Sequence, residues 1–107
     1  METESAITFV RIYLHEADHG RRRSLMQEIL ATLKDQHGVR SVTVFRGVAG
    51  VDEHGEVLAE NMLRLTVDLP LVIEFYERDE IVRATIDTLN GLITGHAIVT
   101  WPARLLG

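Results

Sequence analysis

Residues 6–14 read Ala-Ile-Thr-Phe-Val-Arg-Ile-Tyr-Leu, and the change of period that follows them decides the fold. The stretch is rich in β-branched and aromatic types, and Val10, Ile12 and Leu14 alternate onto one side, which predicts a strand. From Gly20 to His37 the spacing becomes helical, with Leu25, Met26, Ile29, Leu30 and Leu33 forming one stripe. Gly38 stands where a left-handed residue would close that helix. Residues 40–46 alternate again, with Val42 and Val44 on one side. After a long break Leu63, Leu65 and Val67 do the same; Pro70 then marks an edge or a bend, and Leu71 to Tyr76 continue extended. A second helix begins near Asp79, carries the stripe Ile81, Val82, Ile86 and Leu89, and stops at Gly91. Gly95 to Trp101 make the last strand, before Pro102 and a short apolar tail.

The order strand, helix, strand, strand, helix, strand predicts an α+β, ferredoxin-like β-α-β-β-α-β sandwich. Its four-stranded antiparallel sheet would carry both helices on one face. A chain of 107 residues with no internal linker predicts a single domain, 1–107. Its 46% hydrophobic and 25% charged residues are those of a globular chain. The fold hosts many activities and selects none.

Eleven Lys+Arg against sixteen Asp+Glu give a formal charge of −5, the wrong sign for general binding to nucleic acid or an anionic membrane. With no cysteine the chain has no disulfide, no thiolate nucleophile and no Cys-ligated metal. The acidic start Met1-Glu2-Thr3-Glu4-Ser5 lacks the basic and apolar blocks of a secretory signal, so the expectation is a cytoplasmic protein. No apolar run approaches the ~18 residues of a membrane span.

His15-Glu16-Ala17-Asp18-His19 matches the H-E-x-x-H pattern of zinc proteases, in which two imidazoles one helical turn apart hold the metal. Here the motif directly follows a strand and ends at Gly20, with no third ligand at a recognisable spacing. A metal site and a protease are therefore not expected, and no catalytic residues emerge. Arg21-Arg22-Arg23 opens the first helix, whose partially positive N-terminus disfavours cations; Arg21 and Arg22 are candidate anion contacts on that ground. Arg46-Gly47-Val48-Ala49-Gly50 ends a strand, and glycines there allow successive N–H groups to cradle phosphate oxygens beside a planar guanidinium. Residues 47–62 lose periodicity and predict a long loop, of the kind that commonly carries function. His37, His54 and His96 read as surface or turn residues.

Three segments together resemble a known family. Ile12-Tyr13-Leu14-His15-Glu16-Ala17-Asp18, Thr43-Val44-Phe45-Arg46-Gly47-Val48-Ala49-Gly50 and the segment from Leu63 through Asp68-Leu69-Pro70 to Glu74 are similar to the uncharacterised PII-like proteins (domain of unknown function 190). These are relatives of the PII nitrogen-signalling proteins, and the match is collinear from about Val10 to Val99. The resemblance implies the ferredoxin-like fold and a non-enzymatic signalling protein that forms a homotrimer and binds an adenine nucleotide in clefts between subunits. Carried over by position, Arg46, Gly47, Val48 and Gly50 sit at the base of a mobile loop, and Gly91 and Gly95 bound the segment that helps hold phosphates. Val51, Asp52, Glu53, His54, Gly55 and Glu56 then form the tip that meets a partner protein, by family association a membrane transporter.

Where the family pattern has G-F-G this chain has Gly50-Val51-Asp52, and the acidic run that follows disfavours a bare triphosphate. AMP, ADP or a magnesium-bridged nucleotide suits it better, and no permanent cofactor is expected. The alternatives are a trimeric interaction module without a ligand and, behind it, a small metal-dependent enzyme built on His15 and His19.

Overall fold

The computed structural model describes residues 4–14, 22–39, 41–47, 49–51, 57–59, 71–93 and 97–107. In chain order these form β1 (Glu4–Leu14), α1 (Arg22–Ala31) running on into a π-helical turn (Thr32–Gln36), and β2 (Val42–Arg46). They continue with β3 (Ala49–Val51), β4 (Val57–Ala59), β5 (Leu71–Glu77), α2 (Asp79–Leu89) and β6 (Ala97–Leu106). Four strands make one sheet in the order β2-β5-β1-β6, each neighbouring pair antiparallel. This is the ferredoxin-like α+β sandwich.

The alternation in β1 is what builds the core. Val10, Ile12 and Leu14 are buried on one face, and Ile73 and Phe75 of β5 join them there. Leu25, Ile29 and Leu33 from the first helical segment and Val82 and Leu89 from α2 close over that face. Thr85 lies in this contact fully buried, and its hydroxyl donates to the Ile81 carbonyl oxygen at 2.6 Å, so the burial leaves no polar atom unpaired. The helix α2 is fixed to the sheet at its start, where the Thr8 hydroxyl donates to Asp79 Oδ1 at 2.9 Å. Arg83, one turn on, meets the other Asp79 oxygen at 2.7 Å.

Several elements differ from the sequence expectation. The first helix does not run as a regular α-helix to His37; its last turn widens into the π form before Gly38 takes φ +62°, the left-handed closure its position predicts. Segment 47–62 is not wholly a loop, because Ala49, Gly50 and Val51 pair with Ala59, Leu58 and Val57 in a separate two-stranded ladder. The last strand does not stop at Trp101. It passes through Pro102, which sits opposite Thr8, and continues to Leu106 opposite Glu4. A proline is tolerated there because β6 is an edge strand, whose outward side has no strand partner among the described residues. Since β5 reaches only to Glu77 opposite Thr8, Glu4–Ile7 and Ala103–Leu106 extend past it as a two-stranded ribbon. The strand expected over Leu63–Val67 lies outside the described residues.

Arg83 and then Thr8 hold the Asp79 carboxyl below its usual range. A depressed folded-state pKa contributes stability above the unfolded value and loses it as pH falls through the folded one. Asp79→Asn is therefore expected to lower the urea midpoint at pH 7 while leaving stability close to that of the parent in acid strong enough to protonate Asp79 in the folded chain. A parallel loss at both pH values would show that the carboxylate charge is not what Asp79 contributes.

Candidate functional site

The strand ends decide where the sequence-predicted site residues stand. Arg46 closes β2 opposite Leu71, and Leu71 in turn faces Leu14, so three strands meet at one end of the sheet. Ala97 begins β6 opposite Tyr13, at nearly the same level. β2 and β6 are nevertheless the two outer strands, separated by three strand spacings or about 14 Å. The arginine and its following Gly47 thus lie on one edge, and the chain arriving from α2 enters the sheet on the other. Within one chain the Arg46 end of β2 and the start of β6 are therefore not neighbours.

Arg46 is exposed, and Gly47 follows it directly. Gly50 and Val51 lie in β3, opposite Leu58 and Val57. Gly91 is exposed beyond α2, and its N–H donates to the Thr88 carbonyl oxygen at 3.3 Å. Gly91 does not occupy the left-handed region, and a Cβ there would meet only that carbonyl oxygen, at an ordinary 3.6 Å. The turn itself therefore tolerates a side chain at Gly91. Arg22 is the first residue of α1. Arg21, Val48, Gly95 and the loop residues Asp52, Glu53, His54, Gly55 and Glu56 lie outside the described residues, as do His15 and His19. Among the described residues no cluster of histidine and acidic side chains is placed to hold a metal. None of the described helices is long and apolar enough to cross a membrane.

Sequence reasoning missed the face of the sheet opposite the helices. Because side chains alternate, Phe9, Arg11 and Tyr13 of β1 point away from the core, and the registers line them up with three rows of neighbours. Phe9 stands between Tyr76 and Trp101, Arg11 between Glu74 and Val99, and Tyr13 next to Val72, beyond which comes Phe45. The Phe9 and Trp101 rings stack with centroids 5.2 Å apart and planes 3° from parallel, and Tyr76 tilts against Phe9 at the same distance. Arg11 lies over the Trp101 ring, 5.1 Å from its centroid, while its Nε and Nη2 donate to Glu74 Oε2 at 2.9 and 2.7 Å. Hydrogen bonds with Tyr13 and then Glu74 push the guanidinium pKa further upward. Between these groups Arg11, Tyr13, Phe45, Val72 and Glu74 line an open hollow of about 270 Å³.

An antiparallel sheet with a solvated face normally carries polar residues there. Here Phe45 is 51% exposed and Val99 44%. The signal was present in the sequence: the positions alternating with Val10, Ile12 and Leu14 hold two aromatic residues and an arginine rather than a polar series.

Comparison with known proteins gives the chain a family. The family model described as Uncharacterized ACR (domain of unknown function 190) matches residues 7–105. The chain belongs to this family. One relative, the UPF0166 protein of Methanocaldococcus jannaschii, is 28% identical over 90 residues, covering 84% of this chain and 82% of that protein. Among solved structures, CPII from Thiomonas intermedia, a nitrogen regulatory PII-like protein bound to ADP, AMP and bicarbonate, superposes with a TM-score of 0.57. The identity is 16%, and 98% of each chain is covered. The divalent ion tolerance protein CutA1 of Ehrlichia chaffeensis gives a TM-score of 0.61 at 11% identity, covering 91% of this chain and 80% of that one. At such identities the likeness is one of fold, which this member of the Uncharacterized ACR family shares with PII-like proteins.

The stacked pair on the open face generates a measurable coupling. In a double-mutant cycle of Phe9→Leu and Trp101→Leu, read by urea unfolding, the interaction term is expected at about 0.5–1.5 kcal/mol. Additive single effects would show that the two rings contribute only by the area each covers.

Proposed function

We propose that the protein is a PII-like regulator: a homotrimer that binds an adenine nucleotide in clefts between subunits and relays its occupancy to a partner protein through segment 47–61. The observation that supports this reading is the strand order, in which β2, ended by Arg46, and β6, reached from Gly91, are the two outer strands of one sheet. Arg46 and Gly47 at the β2 edge and Gly91 with the segment leading to β6 would then come together where the edge of one chain meets that of another. The open sheet face supplies a reason for such assembly. Its Phe9, Tyr76 and Trp101 cluster and its exposed Phe45 and Val99, on either side of the Arg11–Glu74 pair, leave aromatic and apolar side chains on a face that is open in the single chain. The likeness of fold to a PII-like protein bound to ADP and AMP agrees with this choice of ligand class.

Arg46 would contribute a fork of N–H donors to a phosphate, and the backbone about Gly47 would approach it closely. The acidic run Asp52-Glu53 and Glu56 stands nearby in sequence, so ADP or AMP, or a nucleotide bridged by magnesium, suits the site better than bare ATP. The β3–β4 ladder holds only three residue pairs, and an isolated ribbon of that length is marginally stable. A ligand that binds one arrangement of the segment better therefore shifts its population with a modest difference in affinity. A partner protein, such as a transporter, would read that shift.

The second reading keeps the assembly and drops the ligand. The open aromatic face favours it equally, because the face needs covering whether or not a nucleotide is bound.

Calorimetric titration with AMP, ADP and ATP, with and without magnesium, tests the proposal, with mass in solution fixed by light scattering. The wild type is expected as a trimer binding about one nucleotide per subunit. Arg46→Ala should weaken that binding about tenfold or more without altering the mass or the unfolding midpoint. Phe45→Glu should lower the mass toward that of the 12.1 kDa monomer. A trimer that binds no nucleotide would leave the interaction module standing alone, and a monomer would remove both readings.

A further inference from the structure

The first helical segment and α2 are tied together at one point outside the apolar core. His37 Nε2 lies 2.8 Å from the Thr88 hydroxyl. The bond serves either tautomer: Nε2–H donates to the hydroxyl oxygen while that hydroxyl donates to the Ala84 carbonyl oxygen 3.3 Å away, or the hydroxyl donates to Nε2. Fifty-one residues separate the two partners, and both are partly buried.

The π-helical turn is what aims the imidazole. In the usual left-handed closure, the N–H two residues beyond the cap bonds to a carbonyl five residues back. Here the Val39 N–H bonds at 2.9 Å to Leu33, six residues back, with Gly38 at φ +62° between them. The additional residue is the one that the π turn over Thr32–Gln36 accommodates. Adding one residue rotates everything after it by about 100° around the helix axis, which changes where His37 points. Leu33 and Val39 are buried on either side, so the turn is clamped rather than frayed.

Thr88 transmits the tie. Its carbonyl oxygen accepts the Gly91 N–H, and the next carbonyl, of Leu89, accepts Leu92 and Ile93 N–H at 2.8 and 2.9 Å. Leu89 and Ile93 are buried in the core cluster. A residue whose side chain is held by α1's end and whose backbone holds the first residue past α2 couples the two.

We propose that His37 is a positioning residue for the turn Asn90–Ile93, acting through Thr88. The end of the first helical segment and the base of the segment leading to β6 then move as one unit. The consequence for ligand affinity rests on the nucleotide reading above; the positioning itself does not.

Amide hydrogen exchange on the full chain separates the two. His37→Ala and Thr88→Val are expected to speed exchange at Gly91, Leu92 and Ile93 about fivefold, the loss of one ordinary hydrogen bond. Ile73 and Phe75 in the central sheet serve as unaltered references. His37→Gln, whose amide nitrogen can donate in place of Nε2, and Thr88→Ser, which keeps the hydroxyl, should stay within twofold of wild type. Under the nucleotide reading, ADP affinity falls in His37→Ala and returns in His37→Gln.

Unchanged exchange at these three amides in His37→Ala overturns the proposal, as does His37→Gln behaving like alanine. Faster exchange with unchanged ADP affinity keeps the positioning role and overturns its link to the ligand. If the wild type binds no ADP, the nucleotide reading falls and exchange alone decides the role of His37.

Discussion

Strand β1 is hydrogen-bonded along both edges, to β5 on one side and β6 on the other, and the rest of the molecule is arranged by that central strand. Its even-numbered residues Val10, Ile12 and Leu14 give the helices something to bury against. Its odd-numbered residues Phe9, Arg11 and Tyr13 set the character of the opposite face. A shift of one residue in its register would exchange the two sets and place a guanidinium in the core. Register is therefore fixed twice over: by burial on one side, and by the Arg11–Glu74 and Phe9–Trp101 pairs on the other.

What was legible in the sequence follows from how strongly each segment is periodic. Val10, Ile12 and Leu14, the stripe from Leu25 to Leu33, and Ile81 to Leu89 repeat often enough to declare strand or helix, and Gly38 marked its own left-handed turn. Three-residue strands such as Ala49–Val51 are too short to show a period, and one of their residues is a glycine, a weak strand former. Pro102 read as a stop because proline removes a ladder donor, a cost that disappears on an edge strand. The π turn leaves no periodic trace at all: one added residue at the end of a stripe looks the same as the stripe ending.

The site was legible in a different way. Arg46 and the glycines near it were singled out by residue type and by resemblance, and only the strand order shows that β2, which Arg46 ends, and β6, into which the chain runs from Gly91, are the two outer strands. The open face is hidden in the sequence because only the buried half of each alternating pattern signals a strand. An aromatic residue on the other half is ordinary in one strand. It becomes a surface only when Phe9, Tyr76 and Trp101, from strands far apart in sequence, fall in one row.

The ribbon at the far end of the sheet has a topological meaning. Glu4 stands directly opposite Leu106, with the Arg104 guanidinium 3.1 Å from the Glu4 carboxylate, so the first and last described strands meet within one strand spacing. The outer ends of β1 and β6 thus lie side by side, away from the Arg46 end. Anything attached to either of these strand ends would project from the same corner of the molecule.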